Sequence, residues 1–138
     1  MSIYDDVPDR KEIAKRIDKC RSEGGEVLCL SGLYIKEIPE EIKSFSNLKE
    51  FDISYNKINE LPHWIGNLRL LKKLNLRGNS IGQLPDSIGD LKNLVFLDAG
   101  INHIGEVPEN LRQLNSLEYL DLESLRNYEI KFLPDWIG

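Results

Sequence analysis

The stretch LKKLNLRGNSIGQLPDSIGDLKN, residues 71–93, carries two different hydrophobic periods inside one 23-residue unit. In its first part apolar residues alternate with polar ones. Leu74 and Leu76 fall on one side while Lys73, Asn75 and Arg77 fall on the other, the period of a strand with one buried face. Its second part follows the pattern LPxxIGxL. There a proline fixes φ and withholds a donor, and apolar residues such as Leu61, Ile65 and Leu68 of the preceding unit recur at spacings of four and three. That spacing predicts one face of a short helix or turn. Leu48, Leu71, Leu94 and Leu117 stand 23 residues apart and mark the start of successive units. A weaker unit, GEVLCLSGLYIKEIPEEIKSFSN, covers residues 25–47, and a partial one, LEYLDLESLRNYEIKFLPDWIG, covers 117–138. No single unit can bury its own apolar face, so each must stack on its neighbours.

The period, the apolar positions, the asparagine after each strand and the recurring Leu-Pro together resemble the leucine-rich repeat, over residues 25–138. The unit length with Leu-Pro is similar to the intracellular LPxxIGxL class of Ras-group-related, Scribble-like and Roco proteins and of many bacterial repeat proteins. The fold expected is α/β: a leucine-rich repeat solenoid, a curved right-handed superhelix. It carries a parallel β-sheet on its concave face, short helices or turns outside and a helical N-terminal cap. The resemblance further implies that Asn56, Asn79 and Asn102 form a buried ladder, bonding backbone groups the turn would leave unpaired.

The two ends read differently. In PDRKEIAKRIDKCRSEGG, Pro8 suits a helix start, Ile13, Ile17 and Cys20 share one face, and Gly24 and Gly25 stop the helix. Residues 1–24 are therefore expected as a capping helix, with a partner-binding helix as the alternative. Residues 25–138 then hold about four and a half to five repeats, the last irregular and incomplete. In that last unit Leu125 stands where an asparagine is due, and Leu133-Pro134 comes three residues late. Two readings stay open: a truncated stack, or a minimal cap made by Trp136 and Ile137. The truncated stack leaves Leu133, Trp136 and Ile137 uncovered and predicts weak self-association through the C-terminal end. Trp64 and Trp136, just after Leu-Pro, read as packing between outer turns, with a second partner anchor as the alternative.

Composition narrows the function. With 18 basic against 23 acidic residues the net charge is −5, which argues against nucleic acid or an anionic membrane surface. The N-terminus is polar rather than signal-like, no apolar run is long enough to span a membrane, and no N-x-S/T acceptor occurs, so a cytoplasmic protein is expected. Cys20 and Cys29 read as two reduced thiols packed as small apolar groups, with one disulfide as the alternative. His63 and His103 occupy different slots of their units and lack partners at ligand spacing, so no metal, cofactor or catalytic group is expected.

The informative surface is the outward face of the sheet. Its third column runs Val27, Glu50, Lys73, Phe96, Tyr119, and its fifth Cys29, Asp52, Asn75, Asp98, Asp121. The seventh column runs Ser31, Ser54, Arg77, Gly100, Glu123, with Tyr55 and Ile101 at the edge. Asp98 and Asp121 are adjacent like charges in this register, unfavourable unless a cation relieves them. An aromatic pair, an acidic stripe and a central Lys73/Arg77 patch are expected to bind a protein partner. The candidate contacts are Glu50, Asp52, Tyr55, Lys73, Asn75, Arg77, Phe96, Asp98, Ile101, Tyr119, Asp121 and Glu123. The function expected is a non-catalytic protein-interaction module or scaffold. Two alternatives accompany it: the recognition segment of a larger Roco-type GTPase or other signalling enzyme, and a bacterial effector-type repeat protein.

Overall fold

The computed structural model describes residues 7–123. The irregular run from Leu125 to Lys131, and Leu133, Trp136 and Ile137 with their self-association, lie outside the described residues. One helix, α1 (Arg10–Ser22), precedes five strands, β1 (Val27–Cys29), β2 (Glu50–Asp52), β3 (Lys73–Asn75), β4 (Phe96–Asp98) and β5 (Tyr119–Asp121). The strands form one parallel sheet in sequence order, with Val27 against Glu50, Glu50 against Lys73, Lys73 against Phe96 and Phe96 against Tyr119. Each pairing joins residues 23 apart, so the period fixes the register, and a one-residue slip would turn the apolar set outward.

The inward side chains build the core. Leu28, Phe51, Leu74 and Leu97 form one buried row, and Leu30, Ile53, Leu76 and Ala99 form the next. Behind them run 3-10 segments, Glu40–Ser44, His63–Asn67, Asp86–Asp90 and Glu109–Gln113, each opening after a proline. The proline carbonyl accepts from the residue three ahead, as in Ile65 N to Pro62 O and Ile88 N to Pro85 O. Five residues are enough for this tighter winding and too few for a stable α-helix. Their buried Ile42, Ile65, Ile88 and Leu111 close the core from the convex side. Trp64 is half-buried there and packs against the core.

The outer segments approach backbone to backbone. A Cβ on Gly66 would lie 2.6 Å from the Ser87 carbonyl oxygen, and one on Gly89 would lie 2.8 Å from that of Asn110. Between them the Ser87 hydroxyl is buried without a hydrogen-bond partner. A buried polar group without a partner is a cost that its removal recovers. Ser87→Ala is therefore expected to leave stability unchanged or raise it by up to about 1 kcal/mol. Thermal unfolding checks this; a loss of more than about 1 kcal/mol would show that the hydroxyl is satisfied.

The N-terminal end is covered by α1. Its N-cap is Asp9, whose carboxylate accepts from Glu12 N at 3.1 Å, so the helix opens two residues beyond Pro8. The carboxylate fixes that start by satisfying an otherwise unpaired amide, which proline cannot do. At the other end Gly24 and Gly25 turn left-handed, with φ of 100° and 71°, and Gly25 N returns to Cys20 O at 2.8 Å. Ile17 and Cys20 are buried and Ile13 is partly buried. Arg16 donates to the Cys29 carbonyl at 3.3 Å, so the helix also shields the edge of β1. Both cysteines are free thiols; Cys20 is packed as expected, but Cys29 is exposed because it faces outward from β1.

Where the strands end, three asparagines are buried. Asn56 Oδ1 accepts from Leu33 N and Ile35 N, while its amide donates to Leu30 O, Ile53 O and Ser54 O. Asn79 accepts from Ile58 N and donates to Ile53 O and Leu76 O. Asn102 accepts from Ile81 N and donates to Leu76 O, Ala99 O and Gly100 O. Each side chain thus ties its own turn to the preceding unit.

Candidate partner-binding face

The strands leave their odd positions on the outward, concave face, and local hydrogen bonds order it. At the fifth position of successive units Asp52, Asn75, Asp98 and Asp121 each accept, through Oδ1, from the backbone N–H two residues on. The donors are the Ser54, Arg77, Gly100 and Glu123 amides, freed where the strand ends. Short polar side chains are suited to this local bond. The acidic stripe therefore has a backbone role in addition to presenting charge, a role the repeated Asp/Asn at one slot signals in the sequence.

One slot on, at the eighth position, the chain turns left-handed in the first four units. Gly32 and Gly78 have φ of 71° and 73°, and Tyr55 and Ile101 have φ of 54° and 51°. Glycine accepts this conformation freely, whereas a β-branched isoleucine is strained there. Tyr55 and Ile101 hold it because their amides donate to the neighbouring strand's Arg77 O and Glu123 O. The Tyr55 ring lies across Gly78, where an added Cβ would come within 2.5 Å of it.

Arg77 is the hub of the face. Its guanidinium reaches Asp98 at 3.4 Å, Asp121 at 3.0 Å and Glu123 at 3.5 Å, two strands away. Its pKa is held above the usual guanidinium range, first by the Tyr55 hydroxyl and then by Asp98 and Asp121, with partial burial opposing. The cation that relieves the adjacent Asp98 and Asp121 is thus internal, and Arg77 of the central Lys73/Arg77 patch is engaged with these carboxylates. Lys73 is committed too: its ammonium lies 3.9 Å from Glu50 and 5.8 Å from the Phe96 ring centre. Gly100 makes the reach of Arg77 possible, since a Cβ there would stand 2.6 Å from its Nη1.

Gly100→Ala tests that geometry. The obstructing atom is the end of a flexible side chain, so stability is expected to change by less than about 1 kcal/mol. The guanidinium should instead leave Asp121, seen as faster exchange of its side-chain N–H in NMR spectra. Unchanged Arg77 side-chain signals would show that the close approach is not needed.

Beside the hub Phe96 and Tyr119 stack with ring centres 4.5 Å apart and planes 6° from parallel. Tyr119 remains exposed, as does Tyr55. Burial, followed by the charges of Asp98 and Asp121, pushes the Tyr119 hydroxyl above its ordinary pKa. Glu50 and Asp52 lie toward the other end, where Asp52 also accepts from the Ser54 hydroxyl at 2.6 Å. Ile101 is half-buried at the rim. The columns overlooked the residues just before each strand. Lys49, Lys72 and Val95, in the slot preceding the third column, line a shallow groove with Val27, Glu50 and Lys73. His63 opens an outer 3-10 segment, whereas His103 lies in the turn after β4, its amide bonded to Ile81 O. Among the described residues no helix is long and apolar enough to cross a membrane.

A family model described as a leucine-rich repeat region matches residues 26–137. The chain is similar to a leucine-rich repeat protein of Leptospira interrogans, at 29% identity and a TM-score of 0.61, over 80% of this chain and 34% of that one. It is also similar to an internalin of Listeria monocytogenes, at 30% identity and a TM-score of 0.58, over 64% of this chain and 25% of that one. A third similar structure is the leucine-rich repeat ectodomain of the Arabidopsis thaliana receptor kinase GASSHO1/SCHENGEN3 in complex with CASPARIAN STRIP INTEGRITY FACTOR 2. There the identity is 33% and the TM-score 0.62, over 69% of this chain and 12% of that one. The chain therefore spans about a third or less of the length of these structures. No match was found among curated proteins.

Proposed function

Because the chain belongs to the leucine-rich repeat family, we propose that it is a non-catalytic interaction module binding a protein partner on the concave face of its sheet. The observation that carries this reading is the stacked Phe96–Tyr119 pair, with its Tyr119 ring exposed, set beside the Arg77 cluster. Aromatic and arginine side chains are the types in which binding energy concentrates, and here their rotamers are held before any partner arrives. The ordering entropy a partner must overcome is correspondingly small. The receptor-kinase ectodomain solved in complex with CASPARIAN STRIP INTEGRITY FACTOR 2 lends support from a protein of the same fold. Within the family we place the chain in the 23-residue LPxxIGxL class, on the strength of its period and its Leu-Pro slots.

Paired variants test the location. Phe96→Ala/Tyr119→Ala is expected to weaken binding of a purified partner at least about tenfold, while Trp64→Ala on the convex side leaves it unchanged. Calorimetry giving the reverse order would move the binding surface to the outer turns.

A further inference from the structure

The concave face is electrically uneven along the stack. Over β1 to β3 the carboxylates Glu26 and Glu50 stand beside Lys49 and Lys73, at 3.1 Å and 3.9 Å. Over β4 and β5 the balance fails. Glu118, Asp98, Asp121 and Glu123 occupy this end, and between Leu94 and Glu123 the one lysine or arginine is Arg112. Arg112 lies in an outer 3-10 segment, paired with Glu109 on the far side of the sheet. Among the described residues the single guanidinium reaching these carboxylates is Arg77, lent from the unit before. A net negative charge is left around an exposed aromatic ring, and Glu118 and Glu123 are themselves exposed.

The aromatic pair also shows what it accepts. Lys73 already places its ammonium over Phe96, while the other ring of the pair, Tyr119, is 44% exposed and has Asp98 and Asp121 as its charged acidic neighbours. Cations are attracted to ring faces, more so where carboxylates stand nearby.

Resting on the concave-face reading above, we infer that the β4–β5 end docks a partner segment bearing arginine or lysine, its cation beside Tyr119 and the Asp121/Glu123 carboxylates. Complementary charge of this kind sets orientation and selects among partners. An acidic segment would meet the net negative charge of this end, and a purely apolar one would strip its carboxylates of solvent.

The test is selection of a random dodecapeptide library on the full chain, followed by affinity measurement of the enriched peptides. Enrichment in Arg and Lys over the starting library is expected. Their affinity should fall roughly five- to tenfold in Glu118→Gln/Glu123→Gln, and further as salt is raised. Both substituted residues are exposed, so this variant is expected to unfold at the wild-type midpoint. Enriched peptides that are acidic or uncharged, and lose binding in Tyr119→Ala but not in the charge variant, would overturn the inference and leave the concave-face reading standing. Peptides insensitive to Tyr119→Ala and to the charge variant alike, or no enrichment at all, would overturn both. Self-association of the chain through this face, abolished by Tyr119→Ala, would assign it to a second copy and likewise overturn the inference.

Discussion

Asn56→Ala is expected to lower stability by about 3–5 kcal/mol, and Asn79→Ala by about 2–3 kcal/mol. The order follows from which backbone groups lose their only partner. Asn56 Oδ1 satisfies two buried amides, Leu33 N and Ile35 N, whereas Asn79 Oδ1 satisfies one, Ile58 N. The carbonyls are less exposed to loss, since Ile53 O and Leu76 O each accept from two asparagines of the ladder. An unpaired buried donor costs its full desolvation, about 1–3 kcal/mol each. Urea unfolding followed by circular dichroism reads the difference. Equal midpoints for the two variants would contradict this division of bonds, and unchanged midpoints would deny the ladder a structural part.

Phe51→Ala is expected to cost about 3–5 kcal/mol. Phe51 is 1% exposed and sits in the row where the neighbouring units contribute Leu28 and Leu74. Truncation there removes transfer energy and leaves a cavity between three units, which rigid strands on both sides cannot close. Because repeats are stabilised by their neighbours, the loss should uncouple the first units and broaden the unfolding transition. A sharp transition shifted by less than about 1 kcal/mol would show that the core repacks or that β2 contributes little.

The fold was legible because two periods overlap in each unit. Alternation at Leu74 and Leu76 with a 23-residue recurrence leaves one register in which all inward positions are apolar. The side-chain chemistry of the outward face was less legible. That Arg77 would cross two strands to Asp121 depends on Gly100 lacking a Cβ and on the Tyr55 hydroxyl, neither of which alternation reports. The fifth-position carboxylates read as surface charge, while in the structure they also bond the amides two residues on. Tyr55 and Ile101 occupy left-handed turns that glycine alone would have announced, so composition concealed that geometry. Pro8 signals that a helix starts nearby, while the capping carboxylate of Asp9 decides the boundary.

The most direct measurement is site-specific photo-crosslinking to a bound protein partner. A crosslinker replacing Val27 or Tyr119, both exposed on the concave face, is expected to give discrete partner adducts. The same group replacing Asp86 or Glu109, exposed on the outer 3-10 segments, should give none. Adducts from Asp86 and Glu109, with Val27 and Tyr119 silent, would contradict binding on the concave face.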